Sequence, residues 1–176
     1  MKLPSSIAAV VSATAQRHGL DPCVFAALVW KESSGDPFAI RHEPGYRWLW
    51  DCWEGEPFRR LEVAEMFAAK PPADFRSFTG ASAPTEWAAQ RTSWGICQVM
   101  GAVAREHGFR GPFLSALVEP EQSAEYGARL LVKLLRKWEL PDALSAYNAG
   151  APTDGNEATY VQPILRQAAA FRREGF

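Results

Sequence analysis

Val24-Phe25-Ala26-Ala27-Leu28-Val29-Trp30-Lys31-Glu32-Ser33 is an apolar helical run that carries a carboxylate near its end. Asp21-Pro22 supplies an N-cap and a proline at the first helical position, and Gly35 and Pro37 stop the run. Val29, Leu28 and Phe25 lie three, four and seven residues before Glu32, so helical periodicity puts them on its face. Burial on such a stripe disfavours the charged carboxylate, and the negative end of the helix acts in the same direction. A carboxyl kept partly protonated near neutral pH can act as a general acid. The alternative for a glutamate in a last helical turn is solvation, or pairing with a nearby cation.

Working outward, most of the chain reads as helix. Ile7, Val10, Val11 and Thr14 are spaced for one face of a helix from about Ser5 to His18, closed by Gly19. Further helices are expected from about Pro57 to Ala69, from Ser93 to before Gly108, and from Pro120 onward. In the last of these, Leu130, Leu131, Leu134, Leu135 and Trp138 form an apolar stripe that reads as core, without chemistry. Pro141-Asp142 begins a short helix, Ala143 to Ala149, closed by Gly150, and a final helix runs from about Glu157 to Arg173. Residues 36 to 91 are rich in proline and crowd Tyr46, Trp48, Trp50 and Trp53 into one stretch. Outside the Pro57 helix they read as ordered loop with a short hairpin, and so long a loop usually has a function.

Composition narrows the classes. A chain of 176 residues with 47% hydrophobic residues can bury the core of one domain. The net charge of −1 argues against a nucleic-acid partner. No apolar run is long enough to span a membrane, and Met1-Lys2-Leu3-Pro4-Ser5-Ser6-Ile7 lacks the apolar stretch of a signal peptide. Cys23, Cys52 and Cys97 form no ligand set with His18, His42 and His107, so no metal site is read from them. The cysteines read as small buried hydrophobes, with a Cys23–Cys52 bridge as the alternative. Nothing demands more than a monomer.

Three separated segments hold polar groups among small or apolar neighbours. They are Glu32-Ser33-Ser34-Gly35-Asp36-Pro37, then Thr92-Ser93-Trp94-Gly95-Ile96-Cys97-Gln98-Val99-Met100, then Ala146-Tyr147-Asn148-Ala149-Gly150 followed by Tyr160-Val161. Gln98 is an amide in an apolar run and needs partners, either a ligand's hydroxyl or N-acetyl group or a nearby loop. Tyr147 and Asn148 project from a helix whose alanines allow close approach, where a buried hydroxyl usually finds a structural partner.

Taken in order, these segments resemble the soluble type of lytic transglycosylase, a family with a goose-lysozyme-like fold. Glu32-Ser33 is similar to its catalytic glutamate and following serine. Gly95-Ile96-Cys97-Gln98-Val99 resembles its Gly-Leu-Met-Gln-Val/Ile segment, with Ile-Cys in place of Leu-Met. Ala146 to Gly150 matches its Ala-Tyr-Asn-Ala-Gly segment letter for letter. The arginine that often precedes the family's Tyr-Val is missing before Tyr160-Val161. A long insertion, about 38–91, that ends in Thr92-Ser93-Trp94-Gly95 resembles phage-encoded members.

The resemblance implies a mainly α, lysozyme-like single domain over residues 1–176 with an aromatic-rich insertion. It implies cleavage of the β-1,4 bond between N-acetylmuramic acid and N-acetylglucosamine in peptidoglycan, with 1,6-anhydro ends and with no metal and no cofactor needed. Glu32 would be acid and then base; Ser33, Ser93, Gln98, Tyr147, Asn148 and Tyr160 would line the groove. A phage virion, its tail proteins or holin-type release would supply the route to the bacterial wall in the periplasm. One rival is a muramidase using a second carboxylate, for which Asp51, Glu54 and above all Glu86 are candidates. The other is a wall-binding virion component without turnover, to which a desolvated Glu32 would bring only a cost in stability. The insertion's aromatic rings read either as a local mini-core or as a surface for glycan rings or a partner.

Overall fold

Asp21 does what its position promises. In the computed structural model, which describes residues 2–77 and 80–176, its Oδ1 accepts hydrogen bonds from the backbone of Cys23 at 2.8 Å and Val24 at 3.2 Å. These start helix α2, Pro22–Ser33, which ends at Ser34 in the left-handed conformation. Met1 of the leader reading, and Phe78 and Thr79 of the 38–91 segment, lie outside the described residues. Every residue of α2 from Cys23 to Val29 is buried, so it is apolar all round and forms the centre of the molecule. Helices α1, Ser5–Arg17, and α8, Gln162–Glu174, pack against it.

The fold is mainly α. Helix α6, Pro120–Leu135, starts with its proline in the first turn and packs on α1 and on α7, Leu140–Ala149. Gly150 closes α7 at φ +80°, a conformation that a side chain would strain. A single π-helical turn, Glu157–Val161, leads into α8, so the expected last helix is divided near its start.

Two expectations are corrected by turns. The segment from Ser93 is an antiparallel hairpin, β4 (Thr92–Trp94) and β5 (Val99–Met100), and helix α5 begins only at Gly101 and ends at Glu106. Gly95 at φ +64° and Gln98 at φ +48° reverse the chain there, and neither value belongs to a right-handed helix. Strand β1, Ile40–His42, pairs with β4 on its other side, with Arg41 opposite Ser93. The expected helix from Pro57 to Ala69 shrinks to α3, Val63–Met66. Pro57 is spent in a hairpin, β2 (Trp50–Asp51) against β3 (Glu56–Pro57), and a reciprocal capping box between Glu62 and Glu65 starts the helix late. Arg59 ties this stretch together by binding both Glu65 and Asp74.

The 38–91 segment has its own apolar cluster. Leu49, Leu61, Phe75 and Trp87 are buried with Ala102, and Phe58, Phe75 and Trp87 meet edge to face at 5.4 and 5.3 Å. Trp87 lies on α4, Ala83–Gln90, a helix inside the stretch expected as loop. Its signal is Ser82-Ala83-Pro84: the serine caps Thr85 N, and the proline stands in the first turn. Beneath the cluster, Glu86 of α4 and Arg105 of α5 form a two-pronged ion pair at 2.8 and 2.9 Å, both fully buried. Gln90 and Cys52 also turn toward the Glu86 carboxylate. The three cysteines are free and buried, so the Cys23–Cys52 bridge is not formed.

Removing one partner of a buried pair strands the other charge. Glu86→Leu should therefore destabilise the fold by about 3–5 kcal/mol in urea titration. A loss below about 1 kcal/mol, the size expected of an exposed pair, would contradict this account.

Candidate active site

Glu32 stands half-buried in the last turn of α2. Burial raises its pKa above the ordinary value of 4.5; a hydrogen bond from Tyr160, then the positive charges of Arg41 and Lys31, pull the other way. The Tyr160 hydroxyl donates to Glu32 Oε1. Tyr160 comes from the π-helical turn before α8, which packs on α7 and α8. Its own hydroxyl is held far above the usual tyrosine range by burial and by the adjacent carboxylate, so it remains a donor. The Lys31 ammonium lies 5.8 Å from its ring centroid.

Ser33 points away from solvent chemistry. Its hydroxyl donates to Ile96 O at 2.9 Å and accepts from Gly35 N at 3.0 Å, which pins the end of α2 to the β4–β5 turn. Gln98 also serves the loop. Its amide nitrogen donates to Ala39 O at 2.8 Å and Gly95 O at 2.9 Å, while its oxygen accepts from Ser93 Oγ at 3.0 Å. Of the two readings for Gln98, the loop cap is the one the structure shows.

Tyr147 reaches the same turn from α7, its hydroxyl donating to Cys97 O at 2.9 Å. The close approach needs Gly127 on α6, where a Cβ would come within 2.6 Å of the Cys97 side chain. Ser123, also on α6, accepts from Cys97 N at 3.0 Å. No sequence signal marked Ser123 or Gly127, since both match partners distant along the chain. Asn148 is exposed on α7, beside Tyr147.

A groove of about 760 Å³ opens at Glu32, and Ser93, Gln98, Tyr147 and Asn148 line it. Ser33 and Tyr160 lie behind this lining, in contact with the turn and with Glu32. Leu130, Leu134 and Trp138 also line the groove, so part of the stripe read as core faces it. Tyr46 and Trp48 join them from the 38–91 segment, whereas Trp50 and Trp53 do not. Two lining carboxylates escaped the sequence reading. Glu43 pairs with Arg41 and Glu106 pairs with Lys133. Glu86 is displaced from the second-carboxylate position proposed for it: it is buried against Arg105, outside the groove lining. Asp51 and Glu54 are bound to Arg76, also outside the lining.

Because folding raises the Glu32 pKa, the protonated form is favoured in the native state. Its contribution to stability is fully present below pH 4.5 and is lost as pH rises through the folded value. Glu32→Gln should thus melt higher than the wild type at neutral pH, with the gap closing below pH 4.5. Equal gaps at both pH values would show that the carboxyl is not desolvated. Tyr147→Phe leaves Cys97 O without its donor, and a loss of about 1–3 kcal/mol is expected by chemical denaturation.

A family model described as the transglycosylase SLT domain matches residues 9–164. No curated protein and no solved structure matches the chain.

Proposed function

The chain belongs to the transglycosylase SLT domain family, whose model spans most of its length, and on that premise we propose that it cleaves peptidoglycan between N-acetylmuramic acid and N-acetylglucosamine to leave 1,6-anhydro ends. The observation that carries this reading is a half-buried Glu32 in the groove, with its pKa raised by burial and Tyr160 bonded to it.

In the first step Glu32, protonated, gives its proton to the glycosidic oxygen as the bond to C1 breaks. The sugar's 2-acetamido group stabilises the oxocarbenium-like centre. Glu32, now a carboxylate, then takes the proton of the C6 hydroxyl, whose oxygen attacks C1 and closes the anhydro ring. The attacking group belongs to the same sugar, so the step benefits from high effective concentration. Tyr160 stabilises the ionised carboxylate between the two steps. Arg41 and Lys31 do the same at longer range. Tyr147, Ser33, Gln98 and the buried Ser93 act through the turn they hold, and the exposed Asn148 faces the glycan.

The single-carboxylate route is favoured over an inverting hydrolase by the state of the other groove carboxylates. Glu43 and Glu106 are each paired with a cation, Arg41 and Lys133, so either would have to leave its partner to hold a water. A wall-binding role without turnover is disfavoured because a desolvated acid weakens the fold and adds nothing to binding. The long 38–91 segment ending in Thr92-Ser93-Trp94-Gly95 supports a phage-encoded member, brought to the wall by a virion or a holin.

Mass spectrometry of digested peptidoglycan tests the chemistry. Muropeptides one water lighter than hydrolysis products are expected, and none from Glu32→Gln. New reducing ends would replace this reading with a muramidase. Tyr160→Phe removes a contact that favours ionised Glu32, so the alkaline limb of the pH–rate profile should move to higher pH, with a fall in rate of about tenfold or more. An unmoved limb would detach Tyr160 from the titration of Glu32.

A further inference from the structure

We propose that the 38–91 segment extends the glycan groove, with Trp48 as a stacking platform for a sugar ring away from the bond that is cut. The inference rests on the peptidoglycan reading above and assigns the strand's outer contact to residues that carry none of the chemistry.

Trp48 is 60% exposed, yet it lines the same groove as Glu32. The C–H face of a pyranose is apolar and flat, and an indole left open in a groove suits it. Arg47 lies 5.1 Å from the ring centroid and still leaves most of the side chain open. The backbone on both sides is fixed. Leu49 is buried in the local cluster, and Gln90 clasps Trp50 through both its amide atoms, accepting at 2.9 Å and donating at 3.0 Å. On the other side Tyr46 N bonds Glu43 O at 3.0 Å, and the Arg91 guanidinium donates to Pro44 O. Tyr46 itself packs on the cluster while lining the groove. A ring exposed on so rigid a support costs little ordering when a ligand arrives.

Trp53 supplies the contrast. It is equally exposed at 60%, but its indole N–H donates to Ser77 O at 2.8 Å and it is not among the groove-lining residues. Its exposure is explained by the local fold; that of Trp48 is not.

The test is calorimetric binding of β-1,4-linked N-acetylglucosamine oligomers of two to eight sugars to the Glu32→Gln protein, which holds ligand without turnover. Adding Trp48→Ala should weaken binding of the longer oligomers by roughly tenfold and leave the shortest unaffected. Trp48→Phe should recover most of the loss, and adding Trp53→Ala should change nothing. Unchanged affinity in Trp48→Ala, or the same loss with Trp53→Ala, would overturn the platform while leaving the peptidoglycan reading intact. Failure of Glu32→Gln to bind any oligomer, with a wild type inert on peptidoglycan, would overturn that reading and the platform with it.

Discussion

Three helices converge on one buried turn, residues 95–98, and the site depends on that meeting. Ile96 and Cys97 are completely buried, so their backbone groups have no water to turn to. Ser33 of α2 supplies the donor for Ile96 O, Tyr147 of α7 the donor for Cys97 O, and Ser123 of α6 the acceptor for Cys97 N. Gln98 closes the turn from within and links it to Ala39. Each contact satisfies a polar group that would otherwise be left unpaired, which makes the arrangement hard to loosen piecemeal. It also places the end of α2, with Glu32, against the mouth of the groove.

Glu32 sets a tension that this scaffold has to absorb. Its environment withholds solvation from the charged form, while Tyr160, Arg41 and Lys31 return part of that stabilisation. In the mechanism we propose, Glu32 serves first as acid and then as base, and it needs both influences, because too much burial would disable the second step and too little the first. The π-helical turn is the device that supplies Tyr160. Such turns are frequent at functional sites, and this one carries a tyrosine to a glutamate far away in the chain.

Local chemistry was legible and long-range pairing was not. Asp21-Pro22 and Gly150 declare helix ends within a few residues, and α2 and α7 stand where they were expected; the stripe on α6 marked an apolar face, but Leu130 and Leu134 turn it partly to the groove. The apolar stripe behind Glu32 was enough to foresee its raised pKa. The hairpin at 92–100 was hidden because its partner, β1, lies some fifty residues earlier, as the pairing of Arg41 with Ser93 requires. Gln98 adds to the disguise, since nothing in a glutamine announces a positive φ. Glu86 misled for a related reason. A carboxylate near Ser93 in sequence looked available to the groove, but Arg105 on the next helix had already claimed it. Tyr147 was left open between a structural and a ligand role, and only the position of Cys97 O decides that its hydroxyl is engaged.

The Glu86–Arg105 pair has one more consequence, for modularity. Arg105 sits on α5, directly after the hairpin that forms the groove floor, and its guanidinium is buried and further bonded to Phe109 O and Gly111 O. Its counter-charge comes from α4, in the 38–91 segment. A shortened chain that dropped this segment would remove Glu86 from Arg105 and uncover the face of α5 that α4 packs on. The segment is therefore not a detachable ornament. Its loss would be felt on α5, at the foot of the hairpin that lines the groove, as well as within the segment itself.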